Sequence, residues 1–205
     1  MDLCAAYSLA PERQFPAAHD AAIAACRYTA SNAPSTGEKA VSLFLAGDSF
    51  GAALALATGM RLRDGQESHL LSCIVGLSPT LDMTAAGESY IRCAQTDALI
   101  SRELTQQCMA TYAPNIDHSH PILSPTYGRF AGLPPLLFQV SEDEAVFDDS
   151  ILAASLARQQ GVHVEVQTWR GLPHVWHLLA PQVPQATLAI HSVGEFIREI
   201  LNDED

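Results

Sequence analysis

The chain has 205 residues, 48% apolar and 17% charged, enough for one compact α/β domain and unlike a disordered polymer. Eleven Lys and Arg against twenty-three Asp and Glu leave a net charge of −12, which disfavours binding to nucleic acid or anionic lipid. Basic stripes, zinc-finger spacings, a G-x-x-x-x-G-K phosphate loop and apolar runs of membrane-spanning length are all missing from the sequence. The five cysteines (Cys4, Cys26, Cys73, Cys93, Cys108) are irregularly spaced with no C-x-x-C pair, as expected for reduced, mostly buried thiols. The apolar run Leu3 to Ala10 follows Asp2 rather than basic residues, so it makes a poor signal peptide and a cytoplasmic location is expected.

In chain order, Leu3–Tyr7 reads as a short buried strand ended by the turn Leu9-Ala10-Pro11-Glu12. Pro16 suits a helix start, and Ala17–Ala30 is alanine-rich helix. A loop at Asn32–Lys39 leads to strand Val41–Ala46, then Gly47-Asp48-Ser49-Phe50-Gly51, then helix Ala52–Met60. Arg61–Ser68 reads as polar loop and Leu70–Leu77 as a buried strand. From Thr80 to Gly132 no strand is evident. Helical pieces at Gly87–Ala94 and Arg102–Tyr112 precede a His/Pro-rich loop at Pro114–Pro125, as in a helical insertion rather than a second domain. Strand Pro135–Val140, helix Ser150–Gln160 with Gly161 as C-cap, strand Val162–Val166 and amphipathic helix Pro184–Leu201 complete the chain. Strands alternating with helices predict a mainly parallel, doubly wound sheet.

A buried strand, a G-x-S-x-G turn and a helix describe a nucleophile elbow. Glycines make room for a strained turn that lifts the Ser49 hydroxyl above the strand end, and the Phe50 N–H opens the helix towards any oxyanion. An ordinary turn serine is the bland alternative, and the flanking strand and helix weigh against it. A serine nucleophile needs a base, and the base needs an acid. The loop after strand Leu136–Val140 carries Glu142, Asp143, Glu144, Asp148 and Asp149; the loop after strand Val162–Val166 carries His174 and His177. Ser, acid, His is the α/β-hydrolase order. Asp117-His118-Ser119-His120 has a His-x-His beside an acid but no further ligands at zinc spacing, and reads as polar loop.

Here the sequence resembles the hormone-sensitive-lipase-like esterases of the α/β-hydrolase fold. The matching pieces run in family order: Tyr7–Glu12, Phe15–Ala18, Gly47-Asp48-Ser49, Leu123-Ser124-Pro125, Gly132–Pro135, Asp148-Asp149 and Gly171-Leu172-Pro173-His174-Val175-Trp176-His177. The resemblance implies Ser49 as nucleophile, His174 as general base and acid, Glu144 as the orienting acid and Phe50 N–H in the oxyanion hole. Glu144 is favoured over Asp143 because an aspartate, Asp148, follows four residues later as in the family. His177 reads as a loop or packing histidine. The remaining acids read as solvated charges or as helix N-terminal charges near Asp149.

Three departures from the family pattern stand out. Phe50 replaces an alanine and is expected to narrow the acyl pocket, and Ala52 replaces a glycine. Ala6 and Ser8 replace an aspartate and an arginine around Tyr7, removing two charges together. No His-Gly-Gly-Gly loop precedes Leu3–Tyr7, so the chain is expected to begin near the family's fourth strand, without most of the oxyanion loop.

The expected protein is a single α/β-hydrolase domain, residues 1–205, with a helical cap at about 80–132. It would hydrolyse small uncharged esters through an acyl-enzyme, with no metal or organic cofactor and no nucleic-acid partner. Met83, Tyr90 and Met109 are available to line an acyl pocket or simply to pack helices. A homodimer through the last strand is plausible by analogy. The alternatives are a catalytically impaired remnant serving as an interaction module, and an amidase or thioesterase using the same three residues.

Overall fold

The computed structural model describes residues 3–32 and 42–203. The expected loop at 33–39 and the expected strand start at Val41 lie outside the described residues. Among the described residues four strands, β1 (Leu43–Asp48), β2 (Leu71–Leu77), β3 (Leu136–Ser141) and β4 (Val164–Trp169), form one parallel sheet in sequential order. Helix α1 (Ala17–Ser31) precedes the sheet, α2 (Phe50–Asp64) connects β1 to β2, and α5 (Phe147–Gln159) connects β3 to β4. Helices α3 (Ser89–Arg92) and α4 (Arg102–Tyr112) lie between β2 and β3, and α6 (Pro184–Asp203) is last.

The central strands β2 and β3 are buried along nearly their whole length, as a parallel sheet covered on both faces requires. Their alternation sorts side chains by layer. Ile74, Leu136 and Phe138 join Leu56 of α2 and Ala153, Ala154 and Ala157 of α5 in the larger core. Cys73, Val75 and Leu137 point the other way, against Phe196 of α6. Helix α2 is buried on most of its surface because α1 covers it on the side away from the sheet.

Several boundaries differ from expectation, each for a local reason. Leu3–Tyr7 forms no strand: Tyr7 N–H turns back to the Ala5 carbonyl, and no described residue offers this segment a ladder. Helix α2 runs through Arg61–Asp64, expected as loop, because Leu62 completes its buried face with no solvent exposure. Helix α5 starts at Phe147, with Asp148 and Asp149 in the first turn facing the positive end of the helix dipole. The last strand begins at Val164 and reaches Trp169, because Val162 N–H still closes the preceding helix end on Ala157 O. Gly161 has φ +81°, a conformation that suits a glycine at a helix C-terminus. Among the described residues, no helix is long and apolar enough to cross a membrane.

Candidate active site

All four strands are parallel, so their C-terminal ends share one edge of the sheet, and the candidate residues stand in the loops beyond it. Ser49 directly follows β1 with φ 52° and ψ −123°, a conformation costing about 1–3 kcal/mol for a residue with a side chain. Three backbone bonds hold it there: Ser49 N–H donates to Leu77 O at 2.9 Å, and Ser49 O accepts from Ala52 N at 3.1 Å and Thr80 N at 3.2 Å. Gly47 permits the turn, since a Cβ on it would stand 2.2 Å from the Gly51 carbonyl. Phe50 is the first residue of α2, so its N–H has no intrahelical acceptor and is available at the elbow.

His174 is held from both sides. Before it, Gly171 N–H donates to Asp143 Oδ2 at 2.6 Å; after it, Val175 N–H donates to Ser78 Oγ at 3.0 Å. Val175 and Ser78 both have positive φ, 52° and 47°. Sequence reading gave no sign of Ser78, because its contact spans 97 positions.

His174 Nε2 lies 2.8 Å from Ser49 Oγ, and His174 Nδ1 lies 2.7 Å from Glu144 Oε1. A carboxylate can only accept, so Nδ1 carries the proton and the Nε2 lone pair accepts the Ser49 O–H. Glu144 Oε2 accepts Ser141 N–H at 2.6 Å, and the Glu144 side chain is 1% exposed. The structure therefore joins Ser49, His174 and Glu144 in one hydrogen-bonded line. A hydroxyl, an imidazole and a buried carboxylate so arranged can take a proton from the hydroxyl as it attacks a carbonyl and return it to a leaving group.

The neighbouring acids differ from a set of solvated charges. Asp143 anchors the His174 loop through Gly171. Asp148 Oδ2 accepts Ser89 N–H at 2.8 Å. Asp149 is 2% exposed, and its Oδ2 accepts the N–H groups of Leu81 and Asp82 at 2.9 and 3.0 Å. Burial pushes the Asp149 carboxyl up to about 8.

The Phe50 ring is edge-on to Tyr112 at 5.4 Å and to His19 at 6.0 Å, so it packs α2 against α4 and α1. His19 Nδ1 meets Tyr112 Oη at 2.9 Å, and burial holds its imidazole down to about 4. Met83, Tyr90 and Met109 are all buried in the core, the packing alternative among their two expected uses. Asp117 closes its own turn by accepting Ser119 N–H at 2.9 Å and Ser119 O–H at 2.8 Å. His177 is buried, and its Nε2 lies 2.9 Å from Gln139 Oε1.

A parallel sheet with an elbow serine, a late histidine and an acid beyond the third strand defines the α/β-hydrolase class. Residues 3–178 match the alpha/beta hydrolase fold family, and the chain belongs to it. It is 34% identical over 192 residues to an acetyl-hydrolase of Streptomyces hygroscopicus, an overlap of 94% of this chain and 62% of that protein. An esterase from the bacterial hormone-sensitive lipase family matches with a TM-score of 0.89 at 36% identity, over 95% of this chain and 64% of that structure. EstE5, solved after a soak in p-nitrophenyl butyrate, matches with a TM-score of 0.86 at 35% identity, again over 95% of this chain and 64% of that structure. The chain thus spans a little under two thirds of the length of these relatives.

Proposed function

We propose that this chain carries the catalytic residues of a carboxylic-ester hydrolase acting on small acyl esters. The observation that supports it is the continuous line from Ser49 Oγ through His174 to Glu144, at 2.8 and 2.7 Å. Ser49 Oγ attacks the ester carbonyl while His174 Nε2 takes its proton. Glu144 keeps Nδ1 protonated and balances the imidazolium that forms. The carbonyl oxygen, now negative, lies towards the Phe50 N–H at the start of α2. His174 gives the proton to the departing alkoxide, leaving Ser49 acylated. Water attacks the acyl group by the same route in reverse roles, releasing the acid and restoring Ser49. Residues between β2 and β3, with α3 and α4, are the segment we assign as the cap over this site. The names of the relatives, an acetyl-hydrolase and an esterase, support a short acyl group.

The deciding experiment pairs turnover with labelling. Hydrolysis of p-nitrophenyl butyrate should vanish in Ser49→Ala, and a fluorophosphonate should label Ser49 and no other serine. Undiminished turnover in Ser49→Ala would overturn the assignment.

A further inference from the structure

Gln139 is fully buried on β3, and every polar atom of its amide is engaged. Its Nε2 donates to the Ala189 carbonyl at 2.9 Å and to Gln167 Oε1 at 2.7 Å, across the β3–β4 register pair of Gln139 with Gln167. A backbone carbonyl can only accept, so the amide orientation is fixed: nitrogen faces Ala189, and Oε1 faces His177 Nε2 at 2.9 Å. His177 Nε2 must then carry the proton. The other end is fixed too, because Gln167 Nε2 donates to Glu165 Oε1 at 2.6 Å and so presents its oxygen to Gln139. The His177 ring also lies against Trp176, with centroids 4.0 Å apart.

Gln139 lies two residues before Ser141, whose N–H holds Glu144, and His177 lies three residues after His174. The His177–Gln139 bond thus ties the chain that carries the base to the strand that carries the acid, 38 positions away in sequence. We propose that His177 is a positioning residue for the hydrolase site: through its Nε2–H bond to Gln139 it sets His174 at hydrogen-bond distance from both Glu144 and Ser49. This rests on the hydrolase reading given above. The requirement is for a buried N–H donor at that point, not for a titrating imidazole. A neutral ring also suits the cycle, since His174 must become an imidazolium close by. Burial, then the charge of His174, holds His177 down to about 4.

The test compares two substitutions. His177→Phe keeps an aromatic ring beside Trp176 and removes the donor; His177→Gln returns a donor N–H at similar reach without the ring. With p-nitrophenyl butyrate, His177→Phe is expected to lower kcat about 10- to 100-fold with KM within about twofold, because small misplacements of reacting groups act on the transition state. His177→Gln is expected to recover kcat to within about threefold of the wild type. The downfield proton resonance of His174 Nδ1–H, shared with Glu144, should shift or broaden in His177→Phe and return in His177→Gln. Wild-type kcat and resonance in His177→Phe overturn the proposal. So does equal loss in both variants, which would make ring packing the operative contact. If His177→Phe does not fold, His177→Gln alone decides, by keeping or losing both readouts. Ser49→Ala, run in parallel, separates the two readings: retained turnover there removes the hydrolase assignment, while the resonance, which needs no turnover, still decides the role of His177.

Discussion

The backbone N–H of Ser141, the last residue of β3, donates to Glu144 Oε2 at 2.6 Å and so turns Oε1 towards His174. The strand end itself aims the acid. A carboxylate that accepts two N–H groups while 1% exposed has little room to reorient.

Glu144→Gln should therefore lower kcat by about 10²–10⁴-fold, because an amide cannot balance the imidazolium and offers His174 the wrong hydrogen-bonding partner. Asp143→Asn should be mild, since an amide oxygen can still accept the Gly171 N–H that Asp143 Oδ2 holds now. Steady-state kinetics on the two variants check this. A reversed order would transfer the acid role to Asp143.

Phe50→Ala should lower stability by about 2 kcal/mol, through lost contact of a half-buried ring with Tyr112 and His19. The backbone N–H at position 50 survives the change, so kcat should move little. The acyl-length profile checks the rest: a profile unchanged from acetyl to octanoyl esters assigns the ring to packing, whereas a shift towards longer chains would restore the expected narrowing of the acyl pocket.

Local signals carried much of this fold. Helix α4 spans Arg102–Tyr112 as read, with Ser101 Oγ accepting Leu104 N–H at its start, and the elbow is a five-residue pattern between a strand and a helix. Loop order after successive strands narrowed the acid to five carboxylates and the base to two histidines, and the family resemblance then singled out Glu144 and His174, the pair that the structure joins to Ser49. What escaped was non-local. Leu3–Tyr7 has strand composition, but a ladder needs a partner, and composition does not report one. Asp149 reads as a solvated or helix N-terminal charge; it does stand in the first turn of α5, but its burial shows only once its two backbone donors, 67 and 68 positions away, are seen. The Phe50 ring is adjacent to the site in sequence yet packs against helices contributed from both sides of it.

Stability should be greatest near pH ~6.5, by the balance of three buried groups. His19 and His177 are held down to about 4 from 6.5, and Asp149 is pushed up to about 8 from 3.8, each mainly by burial. As pH falls from 6.5 to 4, the unfolded chain gains two protons at the histidines that the folded chain refuses, while the folded chain keeps one at Asp149. The net difference of one proton lowers stability by on the order of 1 kcal/mol per pH unit. Above 6.5 only Asp149 differs, and stability declines as pH rises through its folded value. Urea midpoints measured between about pH 4.5 and 8.5 should trace this peak, and Asp149→Asn should flatten its alkaline side. A midpoint that rises steadily to pH 8 would show that Asp149 is charged in the folded protein.

The two glycines of the G-x-S-x-G pattern should respond oppositely to alanine. At Gly47 a Cβ would lie 2.2 Å from both the carbonyl carbon and oxygen of Gly51 and 2.6 Å from Ala52 N, all of them backbone atoms at the first turn of α2. No side chain can move aside to relieve that contact. Either the elbow opens, separating Ser49 from His174, or the chain fails to close the turn. Gly51 lies inside α2, where a Cβ would meet nothing closer than Asp48 Oδ1 at 3.6 Å, an ordinary contact. Alanine there also lowers the conformational entropy of the unfolded chain and is worth up to about 1 kcal/mol in a helix. Gly47→Ala should thus lose most activity and several degrees of Tm, while Gly51→Ala should keep activity and melt at the same temperature or slightly higher. Equal losses from both substitutions would mean that the motif's second glycine serves the approach of substrate, not the turn.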